Sequence, residues 1–385
     1  MTILEKNSGK NLTFSDLRSN LEQLREARVD VIVDSSDLAV ISPGALQTPY
    51  IDDAITHAGV GLPSRDWQLT SHAFRQWCAK MNVPASYLSR IADWGEDIRL
   101  SQLSMEIMNV HNAVEAKPLL LRLLLDPSTD EHVCRAVLSP SYSFIENFDV
   151  LTAVFDGLRV VREQHGIGFE PGPASVSDTH MRARVNMPQL QMAADALLKD
   201  YRSPWTGASG TDNPTVFMGI EIRNSEVGAA AFTLVPVIII QVCNNGMTLT
   251  KDIFRKVHLG SAMEMGHVSQ RTMQATMELI TAQTVDKVVE IATPEFLQAK
   301  VDEFMELKRP VVPVAIQTYL QQAFDNETAD RVFDDFITGG DITAFGVAQA
   351  ITSHSQRDNV SNDLALEMDD SALVHAEKVL AEIDS

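Results

Sequence analysis

TVFMGIEIRNSEVGAAAFTLVPVIIIQVCNNGMTLTKDIFRKVHLG, residues 215–260, decides the fold class of this chain. Val216 to Asn224 alternates with the period of a strand. Met218, Ile220 and Ile222 point to one side, and Phe217, Glu221 and Arg223 to the other. Ser225-Glu226-Val227-Gly228 reads as a turn, with Gly228 free to take a positive φ. Ala229 to Cys243 returns as a long Val- and Ile-rich strand, buried on both faces in its second half. Pro236 has no N–H to give to a ladder, so this strand is an edge, is bulged, or is two strands end to end. Asn244-Asn245-Gly246 closes it with a tight turn. The stretch predicts the central hairpin of an α+β protein, a β-rich antiparallel domain with flanking helices.

Upstream, KPLLLRLLLD (residues 117–126) and Val133 to Ser139 predict an antiparallel strand pair, with Arg135 between apolar neighbours. A reversal at Ser139–Phe144 leads into an amphipathic helix through Val161, striped by Phe148, Leu151, Val154, Phe155 and Leu158. HMRARVN (180–186) alternates as a strand with Arg182 and Arg184 on one face. Thr70 is placed to cap a helix bearing Phe74, Trp77 and Cys78, and Pro84 opens a second short helix with Tyr87 and Leu88. That helix–turn–helix spacing is shared with DNA-binding motifs. Mutual packing of its aromatic residues explains it equally simply. Residues 1–13 read as disordered, and Phe14 to Arg28 as an amphipathic helix. DVIVDSSDLAVIS (30–42) reads as two strands about a turn. Downstream of Ser261 the pattern is helical to the end. Three units follow: 1–115, a central β-rich unit 116–260, and a separable, mostly helical unit 261–385.

The net charge of -21 is uneven. Glu290 to Ser385 holds 19 acidic and 6 basic residues, a net of -13, whereas residues 159–271 hold 11 basic and 10 acidic. So acidic a whole argues against bulk nucleic-acid affinity but leaves room for a local basic groove in the middle. The acidic helices themselves read most simply as a solvated surface. No apolar run approaches the ~20 residues of a membrane helix, and Met1–Lys10 has no apolar signal core. Cys78, Cys134 and Cys243 are odd in number and widely spaced, which fits reduced thiols in the cytoplasm. No spacing suggests a metal site or a cofactor loop. GIGFEPG (166–172) follows a helix with the wrong spacing for a dinucleotide loop.

The candidate chemistry is cationic and aromatic. Arg182 and Arg184 share a strand face, and the Gly- and Ser-rich loop 200–214 carries Tyr201, Arg202 and Trp205. Arg223 stands on the central hairpin, with Arg255, Lys256 and His258 just beyond it. Basic side chains would track phosphates and aromatic rings would stack bases, the combination that single strands require. Cys243 and His258 without a third partner make neither a metal site nor a nucleophile system.

In order, LTSHAFRQWCAKMNVPASYL, LSPSYSFIENFDVL, IRNSEVGAAAFTLVPVIIIQVCNNGM and FRKVHLG resemble the phage/plasmid-like family known as domain of unknown function 932. DITAFGVAQAITSHSQRDN resembles its closing block, so the resemblance spans roughly 65–375. Its most specific elements are Asn224, Ser225, Glu226 and Gly228, followed by Cys243, Asn244 and Gly246. Gln241 and Val242 stand where the family is expected to carry a basic residue. The resemblance implies a phage or plasmid source, a cytoplasmic setting and a place in DNA metabolism or in countering host defence. The element order is also similar to that of single-strand annealing proteins, an analogy of topology alone.

Two functions are expected from this. One is a non-enzymatic protein that binds or anneals single-stranded DNA as a homo-oligomer, without cofactor or membrane. The other is a factor that engages a host protein through its acidic helices. A hydrolase built on Asn224, Glu226 and His258 lacks a carboxylate cluster at metal-binding spacing.

Overall fold

The computed structural model describes residues 2–56, 59–93, 98–114, 116–126, 132–142, 145–242, 245–248, 254–255 and 270–383. Within them the fold is α+β, built on two main sheets and a helical C-terminal region. The central hairpin is the middle of the larger sheet. Strand Thr215–Asn224 pairs antiparallel with Thr233–Ile240, in register from Val216 opposite Ile240 to Arg223 opposite Thr233. The connection is the loop 225–232, longer than a tight turn, and Gly228 takes φ 79° as its position demanded. Pro236 is accommodated by a change of neighbour. On the outer edge Asn245–Thr248 pairs with Val237–Ile240 and Phe254–Arg255 with Thr233–Leu234, so the pairing breaks at Val235 and Pro236. Residues 233–240 are thus one continuous, unbulged inner strand, and none of the three readings of Pro236 holds for it; the outer partner is what is split.

On the other side the sheet continues through Met181–Ala193, Glu170–Val176 and Gly9–Leu12. Its two faces differ in kind. Met181, Ala183, Val185, Ile220 and Ile222 face an apolar core shared with the helices Phe14–Ala27, Asn147–His165 and Gln270–Ile291. The opposite face presents Arg182, Arg184, Glu221 and Arg223.

The smaller sheet runs Arg28–Asp34, Pro118–Leu125, His132–Leu138, Arg65–Leu69, Ala45–Thr48, Ala39–Ser42. Arg28–Asp34 and Ala39–Ser42 are its two outer strands, yet only Ser35–Leu38 joins them. Five residue steps reach at most about 18 Å, whereas six flat strands span about 24 Å. The sheet therefore curls until its edges approach at that corner. Inside lies a second core with Trp67, Trp77, Leu88 and Met108.

Several expectations are corrected. Residues 2–12 are ordered: Thr2 and Glu5 form a capping box on the helix Ile3–Lys6, Ile3 and Leu4 are buried, and Gly9–Leu12 adds a strand to the larger sheet. The two strands read about a turn in 30–42 are present, as Arg28–Asp34 and Ala39–Ser42 on either side of Ser35–Asp37, and they take the two outer places of the smaller sheet. The boundary near 115 cuts through the smaller sheet, because Pro118–Leu125 buries its apolar side chains only by pairing with Arg28–Asp34. Nor is the helical part separable. Helix Gln270–Ile291 packs on Asn147–His165, where a Cβ on Gly157 would lie 2.8 Å from the Thr281 carbonyl oxygen. In the helix–turn–helix unit Trp77 and Leu88 are core while Tyr87 is 55% exposed, so packing explains all but that tyrosine.

The last helices complete the core. Every residue of Ala344–Ser355 is buried, and Ala365, Met368, Ala372, Ala376 and Val379 of the final helix Asn362–Ile383 join the same cluster. At roughly 1.5–3 kcal/mol for burying one large apolar side chain, this helix is a fixed part of the protein rather than a detachable tail. Lys10 ties the two chain ends together, donating to the carbonyls of Ser355 and Arg357 at 3.5 and 3.1 Å beyond the negative end of helix Ala344–Ser355.

Candidate functional site

Two clusters of buried arginines and carboxylates stand out, one on each side of the central hairpin. The first lies on the polar face of the larger sheet. Cross-strand register puts Arg182 opposite Arg223 and Arg184 opposite Glu221. Arg182 forks onto Glu221, with Nε and Nη2 at 3.1 and 3.0 Å from its two oxygens. Arg223 donates to the same carboxylate at 2.6 Å, and Arg184 approaches it at 3.6 Å. The final helix adds two carboxylates from above: Asp369 accepts from Arg182 at 2.7 Å and Asp370 from Arg223 at 2.6 Å. Burial opposes ionisation of Glu221, but Arg182, Arg223 and Arg184 overcome it and hold its carboxyl well below the usual range.

Beside this cluster opens a cavity of about 440 Å³. Its floor is Arg182, Arg184 and Asn186, and Lys10 and Asp369 stand on its walls. The strand bulge between Pro171 and Ala174 forms one rim. Gly172 keeps the floor open, since a Cβ there would lie 3.0 Å from the Arg184 Cβ and 3.1 Å from Asn186 Oδ1. Arg184 is only 7% exposed, yet its Nε has no hydrogen-bond partner, and neither has Asn186 Oδ1.

The second cluster joins the two sheets and contains the Asn224–Gly228 motif. Arg122 and Arg135 come from the smaller sheet and Glu226 from the loop 225–232. Arg135 donates to Glu226 Oε2 at 2.6 Å, the Asn147 amide to Oε1 at 2.7 Å, and Arg122 to the Glu226 carbonyl at 3.1 Å. Arg122 and Arg28 both pair with Glu146, the residue before helix Asn147–His165. Asn224 donates to the Ile145 carbonyl and to Asn147 Oδ1, while Ser225 accepts from the Ala229 amide. His72 and Gln76 fasten the Val227 carbonyl, and a Cβ on Gly228 would press on Leu138 and Tyr142 at 3.3–3.4 Å. Burial pushes Glu226 up, but Arg135 and Arg122 outweigh it and bring the carboxyl down to about 2. For Glu146 burial prevails over Arg122, and the nearby Glu226 assists, so it rests at about 6.

Of the nine residues read as a nucleic-acid surface, the six whose side chains are described do not form one surface. Arg182, Arg184 and Arg223 meet, but buried and bound to carboxylates. Tyr201 is buried. Arg202 is exposed and donates to the Gly207 carbonyl at 2.6 Å within its own loop. Trp205 is 47% exposed, with its indole N–H on Ser353 Oγ at 2.8 Å and the Arg357 guanidinium over its ring at 5.0 Å. That loop is anchored to the helical region rather than extended as a stacking platform. Arg255 belongs to a two-residue strand, and its side chain lies outside the described residues, as do Lys256 and His258. Of the remaining motif positions, Gly246 pairs opposite Ile239, and Cys243 and Asn244 lie outside the described residues. Among the described residues no group of three or more His, Cys, Asp or Glu is arranged to hold a metal ion, and no helix is long and apolar enough to cross a membrane. Burial pushes the Cys78 thiol up to about 11 and Cys134 to about 12, so neither is a thiolate at neutral pH.

Sequence reasoning passed over Glu221, Asp369, Asp370 and Lys10. Glu221 carried a signal: a carboxylate two residues from Arg223 on the polar side of an apolar strand needs a cation on the neighbouring strand. In comparisons with known proteins, no family model, no curated protein and no solved structure matches this chain.

Proposed function

We propose that this chain is a binding protein of DNA metabolism that engages single-stranded DNA, and that it does so in the cleft under the final helix rather than along an extended basic surface. The observation that carries this reading is Arg184, a buried guanidinium with an unpaired Nε and no carboxylate nearer than 3.6 Å, lining this cavity. The family resemblance supports the DNA-metabolism setting. At about 440 Å³ the cleft falls in the lower half of the ~300–1,000 Å³ range of ligand pockets, a size for one nucleotide unit. A strand would therefore enter by an end or by a single unstacked nucleotide.

Salt dependence tests this. Each phosphate neutralised on a single strand contributes a slope of about -0.7 in log K against log salt. One phosphate in the cleft gives a slope near -1, whereas an extended surface with six contacts gives about -4. Fluorescence anisotropy of a labelled strand of about 40 nucleotides over a salt series reads that slope. A shallow slope lost in Arg184→Gln supports the cleft, and no binding even at low salt sinks the reading.

A second reading has its own observation. Glu295, Asp302, Glu303 and Glu306 are exposed along helix Pro294–Glu306, an acidic face suited to a basic protein partner. Capture of a specific host protein that is lost when these four are changed to Gln would favour it.

A further inference from the structure

The charges of the cleft are unevenly shared. Arg182, Arg184 and Arg223 stand with Glu221, Asp369 and Asp370, while Lys10 lies near Asp369 and Asp358. Both oxygens of Glu221 are engaged by arginines, and Asp369 divides itself between Arg182 and the Ser355 hydroxyl. The arginine served worst is Arg184, whose nearest carboxylate oxygen stands at 3.6 Å, beyond hydrogen-bond distance. A buried charge without a close counter-ion costs several kcal/mol in general, and an anion entering from solvent removes that cost.

We propose that the cavity lined by Arg184, Asn186 and Lys10 is a preformed site for a small oxyanion bearing one negative charge, a phosphate or carboxylate group. The anion accepts from the Nη groups of the Arg184 guanidinium, which no hydrogen bond holds elsewhere. Charge-assisted bonds of this kind, to a fixed guanidinium away from bulk water, are the stronger sort. Gly172 has the role of leaving room, because a Cβ there would lie 3.0 Å from the Arg184 Cβ and 3.1 Å from Asn186 Oδ1. The inference rests on the same cleft as the single-strand reading but not on the ligand being a strand.

Isothermal titration calorimetry on the full chain, with inorganic phosphate, thymidine 5′-monophosphate and acetate as ligands and choline chloride as the cation control, tests it directly. Binding of phosphate and the nucleotide without acetate assigns the phosphate source, and binding of acetate assigns the carboxylate source. Arg184→Gln is expected to weaken the effective ligand about tenfold to a hundredfold, the equivalent of one charged hydrogen bond. Arg184→Lys, which keeps the charge, is expected to retain part of the affinity and guards against misfolding of the first variant. Binding of none of the three anions, or binding that Arg184→Gln leaves unchanged, overturns the proposal. Phosphate binding abolished by Arg184→Gln, beside strand binding that is unaffected, sinks the single-strand reading and leaves the oxyanion site standing.

Discussion

The junction cluster and the cleft cluster are built from the same parts and differ in two respects. At the junction Arg28, Arg122 and Arg135 face Asp30, Glu146 and Glu226, three charges against three, and the cleft cavity reaches none of these side chains. In the cleft Arg184 stands 3.6 Å from its nearest carboxylate oxygen, and a cavity opens on it. The first arrangement fastens two sheets; the second leaves one guanidinium loosely paired beside open space. A buried arginine is therefore informative only once its carboxylates have been counted and the space around it measured.

The largest effect that can break this contrast belongs at the junction. Arg135→Met leaves Glu226 buried beside one guanidinium fewer, and breaking a buried pair in this way costs about 3–5 kcal/mol. Urea unfolding measures it, and a loss under 1 kcal/mol would mean that the pair does not fasten the sheets. Acid comes next. Glu226 has its carboxyl lowered to about 2, so its contribution is fully present above its ordinary value of 4.5 and is lost as pH falls through about 2. Glu146 has the opposite sign: raised to about 6, it favours the fold most below 4.5, and that contribution fades as pH rises through about 6. Unfolding midpoints at pH 3, 4.5 and 7 should therefore show a decline on the acid side that flattens in Glu226→Gln, and a milder slope between 4.5 and 6 that flattens in Glu146→Gln.

In the cleft the expected stability effects are small. Gly172→Ala places a Cβ 3.0 Å from Arg184 and narrows the floor, so anion affinity falls a few-fold while stability changes by about 1 kcal/mol or less. Calorimetry beside urea unfolding separates the two. An unchanged affinity would remove Gly172 from the account.

Much of the fold was legible because periodicity survives in a single sequence. The alternation of Met218, Ile220 and Ile222 gave the hairpin strand and the division of its faces, and Thr70 marked a helix start that the structure keeps. What was not legible was long-range pairing. Nothing local says that Pro118–Leu125 pairs with residues 28–34, or that Gly9–Leu12 closes the edge of a sheet 160 residues away. The site divided in the same way. Arg182, Arg184 and Arg223 were visible as cations on strand faces, but their burial depends on Asp369 and Asp370, which arrive from a helix about 150 residues downstream. Arg135 was visible between apolar neighbours, but only the folded chain shows that it meets Glu226 and that Arg122 meets Glu146.

The central claim is that one cluster fastens and the other binds, and a single pair of variants tests it. Urea unfolding of Arg135→Met and Arg184→Gln would be measured with and without about 10 mM phosphate, a ligand that stabilises whatever native state it binds. The account predicts that Arg135→Met loses about 3–5 kcal/mol yet still gains stability from phosphate, while Arg184→Gln is at least as stable as the parent and gains nothing from phosphate. Equal losses in the two variants, or a phosphate gain that survives in Arg184→Gln, would contradict it.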